Sequence, residues 1–203
     1  MADLRAQRSR PMLALHLCAR EAEKVNEQTK KITAIVGVIA MLGGLTLAIA
    51  SRTSAHVDSA LEGTQAPNFS LPTITADPQI SGKQLRLQDF AEKPLLLHFW
   101  APSCAPCVQE LPKWQRLAQD SEKSGDFSVL TVAGDGSLEV QRFLAKNHYT
   151  FPTVYDANGK VHLAYGVTGI PFTYAISAKA VIVRALAGVQ SEADLREALG
   201  AAR

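Results

Sequence analysis

The feature that most constrains the fold is an apolar run that ends just before a pair of cysteines. Residues 94–100 read PLLLHFW, and residues 101–107 continue as APSCAPC. A strand that is apolar at nearly every position, without the alternation of a half-exposed strand, indicates burial on both faces of a sheet. Such sheets are mostly parallel and are covered by crossover helices. The run therefore predicts a central strand in an α/β structure, followed by a helix that begins at Cys104.

The chain after residue 66 alternates between strand and helix patterns. The helix that begins at Cys104 is expected to end near Ser124, and a later helix carries Leu138, Phe143 and Leu144 as its apolar residues. The further elements are predicted at residues 127–133 (strand), 137–148 (helix), 172–177 and 180–188 (a hairpin of two strands) and 191–202 (helix). This order predicts an α/β fold in which parallel strands are joined by crossover helices and the sheet ends in an antiparallel hairpin.

A second apolar run lies near the N-terminus. Residues 32–50, ITAIVGVIAMLGGLTLAIA, are 19 residues without a charge. At 1.5 Å per residue, a helix of this length reaches about 28 Å, close to the thickness of a bilayer core. The run predicts a transmembrane helix that acts as a signal-anchor. The alternative is a signal peptide cleaved after AIA at residues 48–50.

The charges that flank this run predict its orientation. Seven lysines and arginines precede it, whereas the next twenty residues contain only Arg52. By the positive-inside rule, residues 1–31 form a cytoplasmic segment and the chain after residue 50 lies in the periplasm of a bacterium, attached to the inner (cell) membrane by a single pass. The small polar residues 51–65 read as a tether, and residues 66–203 as the folded domain.

Cys104 and Cys107 are spaced for thiol–disulfide chemistry. The free N–H groups and the dipole of a helix start stabilise a thiolate, so the pKa of Cys104 is predicted to be lowered. Cys104 would attack a substrate disulfide, and Cys107 would then resolve the mixed disulfide. A CxxC in an exported protein with βαβ character favours this redox interpretation. A purely structural disulfide and two inert buried thiols are the alternatives.

Two other classes of function have little support. The net charge is only +2, so nucleic acid is not expected as a partner. There is no second CxxC, and none of the five histidines stands at a zinc-ligand spacing from another. We therefore expect no metal and no cofactor besides the redox-active disulfide.

Three stretches together resemble a known family. FWAPSCAPC followed by ELP, APNFSLP at residues 66–72 and LQDFAEKPLLLHFW at residues 87–100 resemble membrane-anchored thioredoxin-like proteins of the TlpA/ResA/CcmG type. The resemblance implies a thioredoxin fold, a central mixed sheet flanked by helices, with Cys104 and Cys107 as the catalytic pair. It also implies a loop that faces them, in which Pro171 is a cis-proline and the backbone of Ile170 pairs with a substrate peptide.

Four further residues are candidates for tuning the pKa values of the cysteines. In the resembling family, an acidic residue at the position of Glu110 influences thiol protonation; the alternative is a solvated carboxylate on a helix face. Trp100 is retained from the family pattern. Ser103 replaces a usual tryptophan, as in accessory proteins of the MauD type, and its hydroxyl could donate to the thiolate. His98, where the family commonly has Asn, is either a proton relay beneath Cys107 or a core histidine with one hydrogen bond.

The expected direction of electron flow is reduction of the substrate. CAPC resembles the motif of reducing thioredoxins and lacks the histidine that resembling strong oxidants carry between their cysteines. The resemblance implies an exported substrate with a disulfide, an apocytochrome c or an oxidase assembly factor, and a membrane electron donor of the DsbD/CcdA type. A thiol oxidant or isomerase and a copper-binding assembly factor are the alternatives. A peroxiredoxin is excluded, since Ala101 and Leu97 replace its required Thr or Ser and its Pro.

Overall fold

The computed structural model describes residues 59–75 and 81–203. In chain order they form β1 (Ser70–Pro72), β2 (Gln84–Arg86), a 3₁₀ helix (Leu87–Phe90), β3 (Leu95–Trp100), α1 (Ala105–Ser124), β4 (Ser128–Ala133), α2 (Ser137–Lys146), β5 (Thr153–Tyr155), α3 (Lys160–Ala164), β6 (Phe172–Ile176), β7 (Ile182–Ala187) and α4 (Glu192–Ala201). Within that part of the chain, no helix combines the length and the apolar composition needed to cross a membrane. The predicted cytoplasmic segment 1–31, transmembrane helix 32–50 and residues 51–58 of the tether lie outside it.

Five strands form one mixed sheet in the order β5-β4-β3-β6-β7. β3 is parallel to β4, and β4 is parallel to β5. The last two strands form an antiparallel hairpin, and β6 of that hairpin is antiparallel to β3. β1 and β2 form a separate antiparallel pair. Because β3 lies in the centre, its carboxyl end is bordered by β4 on one side and by the start of β6 on the other.

The alternation of side chains along β3 divides the core into two layers. Leu95, Leu97 and Phe99 pack on one face of the sheet, in a cluster that also contains Tyr165 and Val161 of α3. Leu96 and Trp100 pack on the other face, against α1, α2 and α4. All six residues of β3 are buried. The prediction of a central strand buried on both faces is therefore confirmed.

The predicted helices are present, with one correction to the buried face of α2. The side chain of Leu138 is 54% exposed, whereas Val140 and Leu144 are fully buried. Val140 and Leu144 are four positions apart and share a helix face, while Leu138, two positions before Val140, points nearly the opposite way. The helix also ends at Lys146 rather than at residue 148. Sequence patterns did not predict the short elements β1, β5 and α3.

The folded domain begins earlier than predicted. The N–H of Gly63 donates to the carbonyl of Ile182, and the N–H of Ile182 donates to the carbonyl of Thr64. Gln65 forms an isolated bridge with Val181. Residues 63–65 therefore run along the β7 edge of the sheet and belong to the domain, so the tether boundary predicted near residue 66 lies too late in the chain.

Candidate active site

Cys104 lies where the chain leaves β3 and enters α1. It is the N-cap residue of the helix, with extended backbone angles, and its Sγ accepts a hydrogen bond from the N–H of Cys107 at 3.2 Å. Pro106 lies in the first turn, where the N–H that proline lacks would have no partner within the helix. The start of α1 thus directs free backbone donors and the positive end of the helix dipole at the sulfur of Cys104.

The two cysteines form a disulfide. Their sulfur atoms are 2.07 Å apart and their Cα atoms 5.2 Å apart. Cys104 is partly exposed, whereas Cys107 is completely buried. A thiolate from another molecule can therefore approach the sulfur of Cys104 but not that of Cys107.

The loop before β6 lies against this disulfide. The peptide bond between Ile170 and Pro171 is cis, the geometry that the resemblance implied. The carbonyl oxygen of Ile170 is 3.7 Å from Sγ of Cys104. The carbonyl of Pro171 accepts a hydrogen bond from the N–H of Gly188 at 2.8 Å, which ties the loop to the end of β7. The structure thus brings Ile170 and Cys104 together although 66 positions separate them.

Ser103 is held by a residue that sequence reasoning missed. Its backbone N–H donates to Oδ2 of Asp135 at 3.0 Å, and Ser103 itself is exposed. Asp135 has a positive φ of 66° and lies two positions after the end of β4. Because β3 and β4 are parallel, the residues that follow them meet at one sheet edge. The Asp-Gly pair after a buried strand was the signal that could have identified Asp135.

His98 lies in the core with a defined set of neighbours. Its Nδ1 is 3.0 Å from Oγ1 of Thr173, and its ring stacks on Trp114 with centroids 4.2 Å apart. Its Nε2 is 3.4 Å from Oε1 of Glu110. None of its hydrogen bonds or ring contacts in the described part of the chain is to Cys107, so a relay between the two would require an intermediate group.

Glu110 is buried beneath the active site rather than solvated. Its side chain is 2% exposed, which rules out the solvated-carboxylate interpretation. Oε2 accepts a hydrogen bond from the N–H of Gln190 at 3.3 Å and lies 3.6 Å from Nζ of Lys113. Lys113 in turn donates to the carbonyl of Gln190. Lys113 and Gln190 were not among the residues singled out from the sequence.

Burial shifts the pKa values of Glu110 and His98 in opposite directions. It raises the pKa of Glu110, while the N–H of Gln190 and the charge of Lys113 act to lower that pKa. For His98, burial and then the charge of Lys113 lower the pKa to about 3, against a smaller opposing effect of the Phe172 backbone. The imidazole of His98 is therefore neutral throughout the physiological range of pH.

Trp100 is a core residue with a satisfied polar group. Its indole N–H donates to Oγ1 of Thr131 at 3.1 Å, and its ring packs against Phe143 and Phe151. That N–H is therefore not available to a cysteine sulfur.

Across residues 59–75 and 81–203, no three side chains of His, Cys, Asp or Glu are arranged to hold a metal ion.

A thioredoxin-like sheet that carries a disulfide at a helix start, beside a cis-proline loop, defines a class of protein that performs thiol–disulfide exchange. The chain belongs to the Redoxin family, which its residues 61–199 match. It is a thiol–disulfide oxidoreductase of the ResA/CcmG type.

Three relatives illustrate the similarity. The thiol-disulfide oxidoreductase ResA of Geobacillus thermodenitrificans is 26% identical over 175 residues, which cover 86% of this chain and 97% of the relative. The thioredoxin-like protein YneN of Bacillus subtilis is 34% identical over 140 residues, 68% of this chain and 78% of the relative. The crystal structure of StoA from Bacillus subtilis has a TM-score of 0.54 at 26% identity, covering 65% of this chain and 96% of that one.

Proposed function

We propose that this oxidoreductase is a membrane-anchored, periplasmic reductant that acts on disulfides of specific exported proteins. Residues 32–50 anchor it in the bacterial inner membrane with the N-terminus in the cytoplasm. Its substrates are of the cytochrome c or oxidase maturation type. Support for the anchor comes from the uncharged run and its flanking charges. Support for the substrate class comes from the resemblance and from the similarity to ResA.

The observation that carries the proposal is the asymmetry of the Cys104–Cys107 pair. Cys104 is accessible and caps a helix, whereas Cys107 is buried one turn further on. In the reduced enzyme, the thiolate of Cys104 attacks a substrate disulfide, forms a mixed disulfide and releases one substrate thiolate. Cys107 then loses its proton and attacks Sγ of Cys104. This step closes the Cys104–Cys107 disulfide and releases the second substrate thiolate, so the substrate gains the two electrons that the enzyme loses.

The cis-proline loop positions the substrate in this reaction. The backbone of Ile170, next to the sulfur of Cys104, pairs with an extended segment of the substrate, while Pro171 supplies no N–H that would compete for it. Because only one side of the disulfide is open, this pairing directs the substrate to Cys104.

The direction of electron flow is proposed from the residues between the cysteines. Ala105 and Pro106 are exposed and uncharged. Neither can stabilise a thiolate by its charge, in contrast to the histidine of strongly oxidising relatives. A membrane donor of the DsbD/CcdA type returns the enzyme to its dithiol form, and the anchor keeps the enzyme close to that donor.

The first experiment is to measure the reduction potential of the pair. The full chain with Cys18→Ser is equilibrated in thiol redox buffers, so that Cys104 and Cys107 are the only cysteines left, and the dithiol fraction is determined by alkylation. A potential near or below about −240 mV places the pair among thioredoxin-like reductants. A potential above about −180 mV would place it with oxidases and isomerases and overturn the proposed direction. The absence of any reversible couple would overturn the exchange function of the pair.

The second experiment identifies the substrate. Cys107→Ala removes the resolving thiol, so we expect mixed disulfides between Cys104 and exported proteins to accumulate in cells. Cys104→Ala, in which the buried thiol alone remains, is the matched control and should trap far less. The substrate assignment fails if the trapped proteins include no cytochrome c or oxidase maturation protein.

A further inference from the structure

Two buried polar atoms face each other beneath the active site without a hydrogen-bond partner. They are Nε2 of His98 and Oε1 of Glu110, which are 3.4 Å apart, and the indole N–H of Trp114 is a further donor beside the same carboxyl group. Both side chains are almost completely excluded from water. Buried polar atoms in native proteins are nearly always paired, so an unpaired donor site and acceptor site at this distance suggest that they satisfy each other.

The number of protons between these atoms is restricted. With no proton between them, the lone pairs of Nε2 and Oε1 face each other in the core, which is repulsive. With one on each atom, two donors oppose each other. A single proton between Nε2 and Oε1 satisfies both atoms, and it is carried either by the imidazole or by the carboxyl group.

The other ring nitrogen allows both arrangements. Nδ1 of His98 is 3.0 Å from the hydroxyl of Thr173, and a hydroxyl can either donate or accept. When Glu110 is ionised, Nε2–H donates to its carboxylate and Thr173 donates to Nδ1. When Glu110 is protonated, its O–H donates to Nε2 and Nδ1–H donates to Thr173. The ring remains neutral in both states, and only the position of its proton changes.

We propose that His98 is a tautomer switch that follows the protonation of Glu110: its ring proton lies on Nε2 when Glu110 is ionised and on Nδ1 when Glu110 is protonated. His98 is thereby a positioning residue, because it supplies whichever partner the buried carboxyl group requires. A histidine that only filled the core would keep a single tautomer.

The switch is coupled to the disulfide through α1. Glu110 follows Cys107 by three positions, so the two side chains lie on the same face of the helix. Reduction at a pH where Cys104 ionises adds a negative charge to this end of the domain, and a like charge favours protonation of Glu110.

Lys113 is the charged neighbour that acts against this effect, while Thr173, Trp114 and Gln190 contribute uncharged groups. The tautomer of His98 is therefore expected to respond to the redox state.

The experiment is ¹⁵N NMR of the full chain with labelled histidine rings, in the oxidised and the reduced state between pH 4 and pH 9. Ring nitrogens with and without a proton have well-separated ¹⁵N frequencies. We expect His98 to stay neutral and to change from the Nδ1–H to the Nε2–H form as the pH rises. We also expect a higher midpoint in the reduced protein. The switch is overturned if one tautomer persists over the whole range, and the coupling is overturned if both redox states share one midpoint.

Two variants and an internal control complete the test. Glu110→Gln cannot ionise, so the proton of His98 should stay on one nitrogen at every pH; a change that persists in this variant contradicts the proposal. Thr173→Val removes the hydroxyl that pairs with Nδ1 in both states, so the midpoint should shift, and an unchanged midpoint contradicts the proposal even if the first variant does not fold. His162 is the internal control, since its Nδ1 lies 2.8 Å from Oδ2 of Asp156 rather than beside Glu110, and neither variant should change its ring ¹⁵N signals.

Discussion

At the scale of single residues, we expect the reactivity of the cysteines to depend on charges that lie outside the CxxC motif. The carboxylate of Asp135 accepts the N–H of Ser103, the residue just before Cys104. It therefore brings a negative charge toward a sulfur that the helix start otherwise stabilises as a thiolate. Glu110 lies on the buried side of the same pair of cysteines.

We predict that Asp135→Asn lowers the pKa of the Cys104 thiol in the reduced protein. Asparagine keeps a hydrogen-bond acceptor and tolerates the positive φ at this position, so the main change is the loss of the charge. The expected decrease is at most about 1 pH unit, since Asp135 is exposed. The rate of alkylation as a function of pH measures it. Glu139→Gln, an exposed position on α2, is the control, and an unchanged or raised pKa would contradict the prediction.

A second prediction at this scale concerns acid stability. The folded protein holds the pKa of His98 near 3, below its value of about 6.5 in the unfolded chain. Between these values the unfolded chain binds a proton that the folded protein does not, so folding stability is lost as the pH falls below about 6.5. The loss amounts to roughly 2 kcal/mol by pH 5, at about 1.4 kcal/mol for each pH unit.

The variant His98→Asn lacks this group. We therefore expect its free energy of unfolding, compared with that of the wild type, to improve by roughly 2 kcal/mol between pH 7 and pH 5. Urea unfolding followed by the fluorescence of Trp100 and Trp114 measures this difference. His148→Asn changes an exposed histidine and is the matched control. A difference between His98→Asn and wild type that does not depend on pH would contradict the prediction.

At the scale of elements, the edge strand β7 is covered by the segment with which the domain begins. Residues 63–65 pair with the start of β7, and Oε1 of Glu62 accepts the N–H of Ala185 at 2.6 Å. Uncovered edge strands present free backbone groups that pair with other chains. The segment therefore stabilises the hairpin that carries the cis-proline loop at its start.

We predict that Glu62→Ala destabilises the domain by about 1–3 kcal/mol, because it leaves the N–H of Ala185 without its charged acceptor. Urea unfolding at pH 7 measures the change in the free energy of unfolding. Glu197→Ala, which removes an exposed carboxylate of α4, should have a much smaller effect. Equal effects of the two substitutions would show that the contact with β7 contributes nothing.

At the scale of the whole molecule, the proposed topology places the three cysteines on two sides of one membrane. Cys18 precedes the apolar run and is expected in the cytoplasm, whereas Cys104 and Cys107 follow it and are expected in the periplasm. Each location can be tested separately, because the chain has no other cysteines.

We predict that a membrane-impermeant maleimide, added to reduced intact spheroplasts, labels the Cys18→Ser variant. The double variant Cys104→Ser, Cys107→Ser, which retains only Cys18, should be labelled only after lysis. Both variants should sediment with the membrane fraction. Labelling of the double variant in intact spheroplasts would invert the topology, and recovery of the protein in the soluble fraction would remove the anchor.

Features that depend on neighbouring residues could be predicted from the sequence. The apolar run of β3 and the helix that follows it are each encoded within a few positions, and both are present. The short elements β5 and α3, of three and five residues, are too brief for a periodic pattern to emerge. The place of β5 at the sheet edge follows from its pairing with β4, not from its own composition.

The candidate active site shows the same difference between features that are encoded locally and contacts between distant segments. The sequence by itself determined the spacing of the cysteine pair and the helix that begins there, because CxxC is a short local motif, and the resemblance to a family implied the proline that faces the pair. The tertiary structure alone decided that Glu110 is buried, that its partners are His98, Lys113 and Gln190, and that Asp135 holds the residue before Cys104. These contacts join different strands, helices and loops, and a contact between distant segments depends on how the sheet and helices pack rather than on any pattern within a single segment.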